Sequence, residues 1–160
     1  MKDLVVFYSL TGKTRIVARA VAEELGATIL EVEESRARTP GVLVYLTGGF
    51  AAVANRASDI KPIAVDVSQY DRVFVGSPVW ASRPVPAINS FIDKTDFEGR
   101  AVIPFVTLGG NSPATALTNM TAKIRTRGGD VTGSFAVTTN QVSDEEILAR
   151  AKDATKQYTE

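Results

Sequence analysis

Three short stretches of this chain hold the residues whose types and spacing suit chemistry. Ser9-Leu10-Thr11-Gly12-Lys13-Thr14 sets three hydroxyls and a glycine between a β-favouring run and a helical one. A helix start offers unsatisfied backbone N–H groups and a positive dipole end, so such a loop can hold a phosphate without a cluster of cations. One hydroxyl suffices to cap a helix; three with a glycine favour an anion site. The loop is not a Walker A motif, because Phe7 stands where its first glycine belongs, nor is it a G-x-G-x-x-G fingerprint. Gly76-Ser77-Pro78-Val79-Trp80-Ala81-Ser82-Arg83-Pro84 carries the only tryptophan, a flat plate suited to stacking on a planar ring. The competing role for Trp80 is a lid over the sheet edge. Thr107-Leu108-Gly109-Gly110-Asn111 has paired glycines that let a backbone approach a flat ligand and present N–H and C=O groups to it. Alone they are only a tight turn. Together the three stretches describe a site for a phosphorylated, planar, heteroaromatic cofactor.

Two absences narrow the chemistry further. The 160 residues include no cysteine, which removes disulfides, thiolate metal sites and a cysteine nucleophile. They include no histidine, which removes Ser-His-Asp catalysis and an imidazole base. Eighteen Lys and Arg balance 18 Asp and Glu, so no bulk field attracts nucleic acid or an anionic membrane. The 44% hydrophobic and 22% charged fractions are those of a globular chain, with one domain over residues 1–160 expected at this length. No apolar run approaches a membrane span, and Tyr8-Ser9, Lys13 and Arg15 end the first apolar run too soon for a signal peptide. The expectation is a cytoplasmic protein whose chemistry comes from backbone groups, hydroxyls, carboxylates or a bound cofactor.

The elements that must position these stretches alternate. Leu4–Tyr8 reads as a strand buried on both faces, followed by a helix over Arg15–Leu25 that Gly26 stops. Thr28–Val32 and Val73–Gly76 read as the second and third strands. Ile88, Phe91 and Ile92 mark a helix entered through Pro84 and Pro86. Ala101–Val106 is the fourth strand, irregular at Pro104. Ser112 as N-cap with Pro113 at the first helical position opens a helix through Leu117, Met120 and Ile124, closed by Gly128-Gly129. Val131–Val137 is the fifth strand, and Ser143 with Glu146 forms a capping box before Ile147, Leu148, Ala151 and Tyr158. Gly41–Ala57 reads as a helix weakened at Gly48-Gly49, with Arg36, Arg38 and Arg56 on a solvated face. The pattern is α/β: a three-layer, doubly wound, five-stranded parallel sheet of order 2-1-3-4-5. In such sheets ligands sit beyond the strands' carboxyl ends, which is where the three stretches fall.

These stretches carry a resemblance to the flavodoxin family. Phe7-Tyr8-Ser9-Leu10-Thr11-Gly12-Lys13-Thr14 is similar to its phosphate loop, Ser/Thr-x-Thr-Gly-x-Thr after the first strand. Tyr70-Asp71 with Val73-Phe74-Val75-Gly76-Ser77-Pro78-Val79-Trp80 resembles the third strand and first flavin loop. Phe105-Val106-Thr107-Leu108-Gly109-Gly110 resembles the fourth strand and second flavin loop. The resemblance implies FMN bound non-covalently and a role in electron transfer. It assigns the phosphate to Ser9, Thr11, Gly12 and Thr14 with backbone groups of Leu10 and Lys13. One side of the flavin falls to Pro78, Val79, Trp80 and Ala81, and the other to Leu108, Gly109, Gly110 and Asn111, with Thr107 counted among the cofactor-binding residues as well. The Lys13 side chain is expected in solvent. The partners implied are redox proteins for a monomer or weak dimer, or NAD(P)H and a quinone if the chain is a reductase with Tyr45, Phe50 and Arg56 covering a second pocket. A third alternative is a cofactor-free binding module. Two features depart from the family. Ala81 stands where many members have glycine, and positive φ costs alanine more, so weaker stabilisation of one-electron-reduced flavin is expected. The zero net charge replaces the family's acidity, leaving Asp93, Asp96 and Glu98 as the candidate acidic patch.

Overall fold

The computed structural model describes residues 1–36, 58–110 and 112–159. The expected helix over Gly41–Ala57, with Tyr45, Phe50 and Arg56, lies outside the described residues, as do Arg38 and Asn111. Strand β1 (Asp3–Phe7) leads into helix α1 (Lys13–Leu25), which returns to β2 (Thr28–Glu31). Then follow β3 (Arg72–Trp80), the two-residue β4 (Arg83–Pro84), α2 (Pro86–Asp93), β5 (Ala101–Leu108) and α3 (Ala114–Thr126). Two short strands, β6 (Asp130–Val131) and β7 (Phe135–Thr138), precede α4 (Asp144–Thr155). The sheet runs β2-β1-β3-β5, with β6 and β7 both parallel to β5 at the far edge, so the expected order 2-1-3-4-5 is the order observed. The count of seven strands comes from β4 and from the division of the fifth strand.

Alternation along the buried strands sorts side chains to two helical layers. Leu4, Val6, Val73, Val75, Val102 and Val106 meet α2 and α3 through Ile88, Phe91, Met120 and Ile124. Val5, Phe7, Phe74, Ile103 and Phe105 meet α1 and α4 through Val17, Val21, Ile147 and Ala151. Apolar residues on both faces make the central strands read as continuous hydrophobic runs.

The fifth strand departs from the continuous Val131–Val137 expected, and Pro104 supplies the reason. Val102 and Leu108 turn their carbonyls to the fifth strand, accepting from Thr132 and Thr139. In a parallel ladder alternate residues bond to the same neighbour, so Pro104 faces that strand too and has no N–H to give. The ladder breaks opposite it. Val131 pairs with Val102 but Phe135 pairs with Phe105, so the far side carries one extra residue, as at a bulge. At α3 the expected cap shifts by one: Pro113 is the N-cap, and Ser112 Oγ accepts the N–H of Ala114 at 3.2 Å. Half of the expected capping box at α4 is present: Ser143 Oγ accepts from the Glu146 N–H at 3.2 Å, while the Glu146 carboxylate accepts from Arg150 Nε at 3.1 Å.

Candidate functional site

The β1–α1 loop turns sharply because Gly12, the α1 N-cap, sits at φ +98°, a conformation side-chain-bearing residues rarely adopt. Ser9 Oγ accepts the amides of Gly12 at 3.1 Å and Arg15 at 3.3 Å, so one of the three hydroxyls does cap the helix. Thr11 is exposed at the rim of the cleft described below, and Thr14 is buried. Among the described residues no acceptor takes the amides of Lys13 and Thr14, which leaves two first-turn donors for a ligand. The Arg15 guanidinium lies beside the loop, its Nη1 3.6 Å from where a Cβ on Gly12 would stand, and its Nε and Nη2 hold the Glu31 carboxylate at 3.0 and 2.6 Å. Hydrogen bonding to that carboxylate raises the guanidinium pKa against the opposing effect of burial. The Lys13 side chain is exposed, as expected, and its Nζ forms a surface ion pair with Asp144 in the first turn of α4 at 2.7 Å.

The Trp80 stretch is a hairpin rather than an irregular loop. β3 runs four residues past the expected Val73–Gly76 and turns at Ala81-Ser82 into β4, with Trp80 paired to Arg83 and Val79 to Pro84. Ala81 and Ser82 both have positive φ, +48° and +64°, the twist of a type I′ turn that matches the twist of its strands. Ser77 Oγ fastens the base, donating to the Pro78 carbonyl at 2.8 Å and accepting from the Val85 N–H at 3.0 Å. Trp80 packs partly buried against the core and also borders the cleft. Its ring packs perpendicular to that of Tyr8, at 5.9 Å and 87°. Tyr8 is fixed in turn by donating to the buried Glu34 carboxylate at 3.0 Å. The positive φ that was expected to burden Ala81 is thus already imposed by the hairpin. Replacing Ala81 with glycine removes the left-handed strain, and the more flexible unfolded chain offsets part of the gain. Ala81→Gly is expected to stabilise the fold by about 0.5–1 kcal/mol in urea unfolding; an unchanged or lower midpoint contradicts a strained turn.

These loops and the end of β5 enclose a cleft of about 690 Å³. Of the expected residues, Leu10, Thr11, Lys13, Thr14, Pro78, Val79, Trp80, Ala81, Thr107, Leu108, Gly109 and Gly110 line it. Ser9 and Gly12 shape the loop from behind. Thr14 and Thr107 join in the wall of the cleft, their hydroxyl oxygens 2.7 Å apart. Ser82, Thr139 and Asn140 also line the cleft and were not foreseen. The last two follow β7, where the Thr139 N–H donates to the Leu108 carbonyl at 2.9 Å. The rule that ligands sit beyond strand ends applies to the fifth strand as well and was the signal available for them.

Lys13 is the one ionisable group among the described lining residues, and it is paired. The described lining residues therefore offer amides, hydroxyls and an aromatic plate, with no carboxylate or unpaired base among them to move protons. Asp93, Asp96 and Glu98 lie at the end of α2 and before β5, at the opposite end of the strands from the cleft, and Asp93 is paired with Lys123 at 2.9 Å. Among the described residues no His, Cys, Asp or Glu cluster could hold a metal, and no helix is long and apolar enough to cross a membrane.

Comparison with known proteins follows the same lines. A flavoprotein from Lactobacillus acidophilus, solved in complex with FMN, is 21% identical, with a TM-score of 0.74 over 93% of this chain and 97% of that one. Oxidised flavodoxin 2 from Bacillus cereus is 16% identical, with a TM-score of 0.63 over 97% of this chain and 95% of that one. A flavodoxin from the domain Archaea is 13% identical, with a TM-score of 0.61 over 100% of both chains. At these identities the likeness is one of fold. No curated protein sequence matches the chain. The sequence pattern of the flavodoxin family does match, over residues 2–136, from β1 into β7. The chain belongs to the flavodoxin family.

Proposed function

We propose that this protein binds FMN non-covalently in the cleft and carries electrons between partner proteins. The observation that supports this most is the composition of the cleft: first-turn amides of α1, the Trp80 plate and the Leu108-Gly109-Gly110 backbone converge around a space whose one ionisable group among the described lining residues, Lys13, is in a surface ion pair. An anion at a helix start, a planar ring against an aromatic and no acid–base pair fit a flavin phosphate ester better than a substrate undergoing proton transfer. Thr11, Thr14 and the amides of Lys13 and Thr14 would take the phosphate, with Ser9 and Gly12 holding the loop in shape. Pro78, Val79, Trp80 and Ala81 would face one side of the ring, and Leu108, Gly109 and Gly110 the other. FMN supplies the redox chemistry when bound; the protein orients it and sets its potentials. The FMN bound by the Lactobacillus acidophilus flavoprotein supports the same choice of ligand.

The carrier and the reductase alternatives separate in one assay. Protein loaded with FMN and reduced by dithionite is mixed with cytochrome c, and separately the oxidised form is given NADPH and a quinone. A carrier reduces cytochrome c and oxidises NADPH no faster than free FMN does. Sustained NADPH oxidation dependent on quinone would overturn the carrier role in favour of a reductase.

A further inference from the structure

Thr14 and Thr107 lie far apart in sequence, yet their hydroxyl oxygens are 2.7 Å apart, at 2% and 4% exposure, in the wall of the cleft. Two hydroxyls bring two protons, and the contact between them uses one. The pair therefore has an O–H to spare, and among the described residues no acceptor takes it. Elsewhere in this chain a helical threonine gives its proton to the carbonyl four residues back, as Thr126 does to Ala122 and Thr155 to Ala151. Thr14 has no such outlet, because Leu10 precedes the helix. Its hydroxyl stands beside the first-turn amides, where an anion is most stable. An anion only accepts, so it selects the arrangement in which the group facing it donates. That arrangement requires Thr107 to give its own proton to Thr14 Oγ1.

We infer that Thr107 is a positioning residue: by donating to Thr14 Oγ1 it points the Thr14 proton at the phosphate ester of the ligand. This rests on the FMN reading above. The test compares dissociation constants for FMN and for riboflavin, which lacks the phosphate, in wild type, Thr107→Val, Thr107→Ser, Thr14→Val and the double valine variant. Thr107→Val is expected to weaken FMN about tenfold, the worth of one hydrogen bond to a charged group, and to cost riboflavin far less. Thr107→Ser keeps the donor and restores FMN affinity. The double variant binds FMN no more weakly than Thr14→Val alone, because the two hydroxyls act as one unit. Equal losses for FMN and riboflavin, additive losses in the double variant, or an unchanged Thr107→Val overturn the inference while FMN binding stands. A wild-type chain that ignores FMN overturns the functional reading and this inference with it.

Discussion

Gly76→Ala is expected to destabilise the fold by about 3 kcal/mol, at the upper end of the usual cost of overpacking, and so to lower the melting temperature by about 10 °C for a chain of this size. Gly76 lies in β3, paired with Phe7 of β1 and Phe105 of β5. Its missing side chain lets the Phe105 ring lie against the strand. A Cβ there would stand 2.5 Å from Cε2 and 2.8 Å from Cε1 of that ring, and closer still to Cζ. The ring has nowhere to go: Phe105 is fully buried and stacks on Phe135 at 5.1 Å and 3°, and Phe135 in turn meets Tyr158. Adding Phe105→Leu to Gly76→Ala frees the space, so the double variant should recover part of the loss that a simple sum forbids. Thermal and urea unfolding measure both. A Gly76→Ala midpoint equal to wild type contradicts the close approach.

Trp80→Ala is expected to weaken FMN binding about thirtyfold, roughly 2 kcal/mol, the order of stacking a planar base on an aromatic ring. The indole contributes because its plane is set before any ligand arrives. The Tyr8 ring packs perpendicular to it, the hairpin with Arg83 and Pro84 carries its backbone, and Ser77 ties that hairpin to the start of α2. A preorganised plate costs little ordering when the ligand binds. Trp80→Phe should keep most of the affinity, whereas Trp80→Ala should also relieve the quenching of flavin fluorescence. Far-UV circular dichroism verifies that both variants stay folded. Equal affinities in wild type and Trp80→Ala contradict the stacking role.

Much of the framework was readable from local pattern. The buried runs of β1, β3 and β5 and the apolar stripes of α1 and α4 are strong because each strand is covered on both faces. The loops at the ends of β1 and β5 followed from that alternation, and they do line the cleft. What escaped depends on partners distant in sequence. Ala81-Ser82 gives no turn signal of the Asn-Gly type, so the hairpin that carries Trp80 reads in the sequence only as a loop after the third strand. The break between β6 and β7 originates in Pro104 on the neighbouring strand, not in Thr132-Gly133-Ser134. Lys13 finds Asp144, and Thr14 finds Thr107, only once the sheet has brought the ends of β1, β5 and β7 together. Periodicity reports which face of an element is buried; it does not report which side chain waits on the opposite element.

The most direct measurement is a titration of the purified protein with FMN, following flavin fluorescence and the visible spectrum. Saturable, equimolar binding with quenched emission and a shifted flavin band is the predicted result, because the Trp80 plate and the α1 amides then hold the ring and the phosphate together. Emission that tracks free FMN throughout, with an unshifted spectrum, contradicts the claim that this cleft is a flavin site.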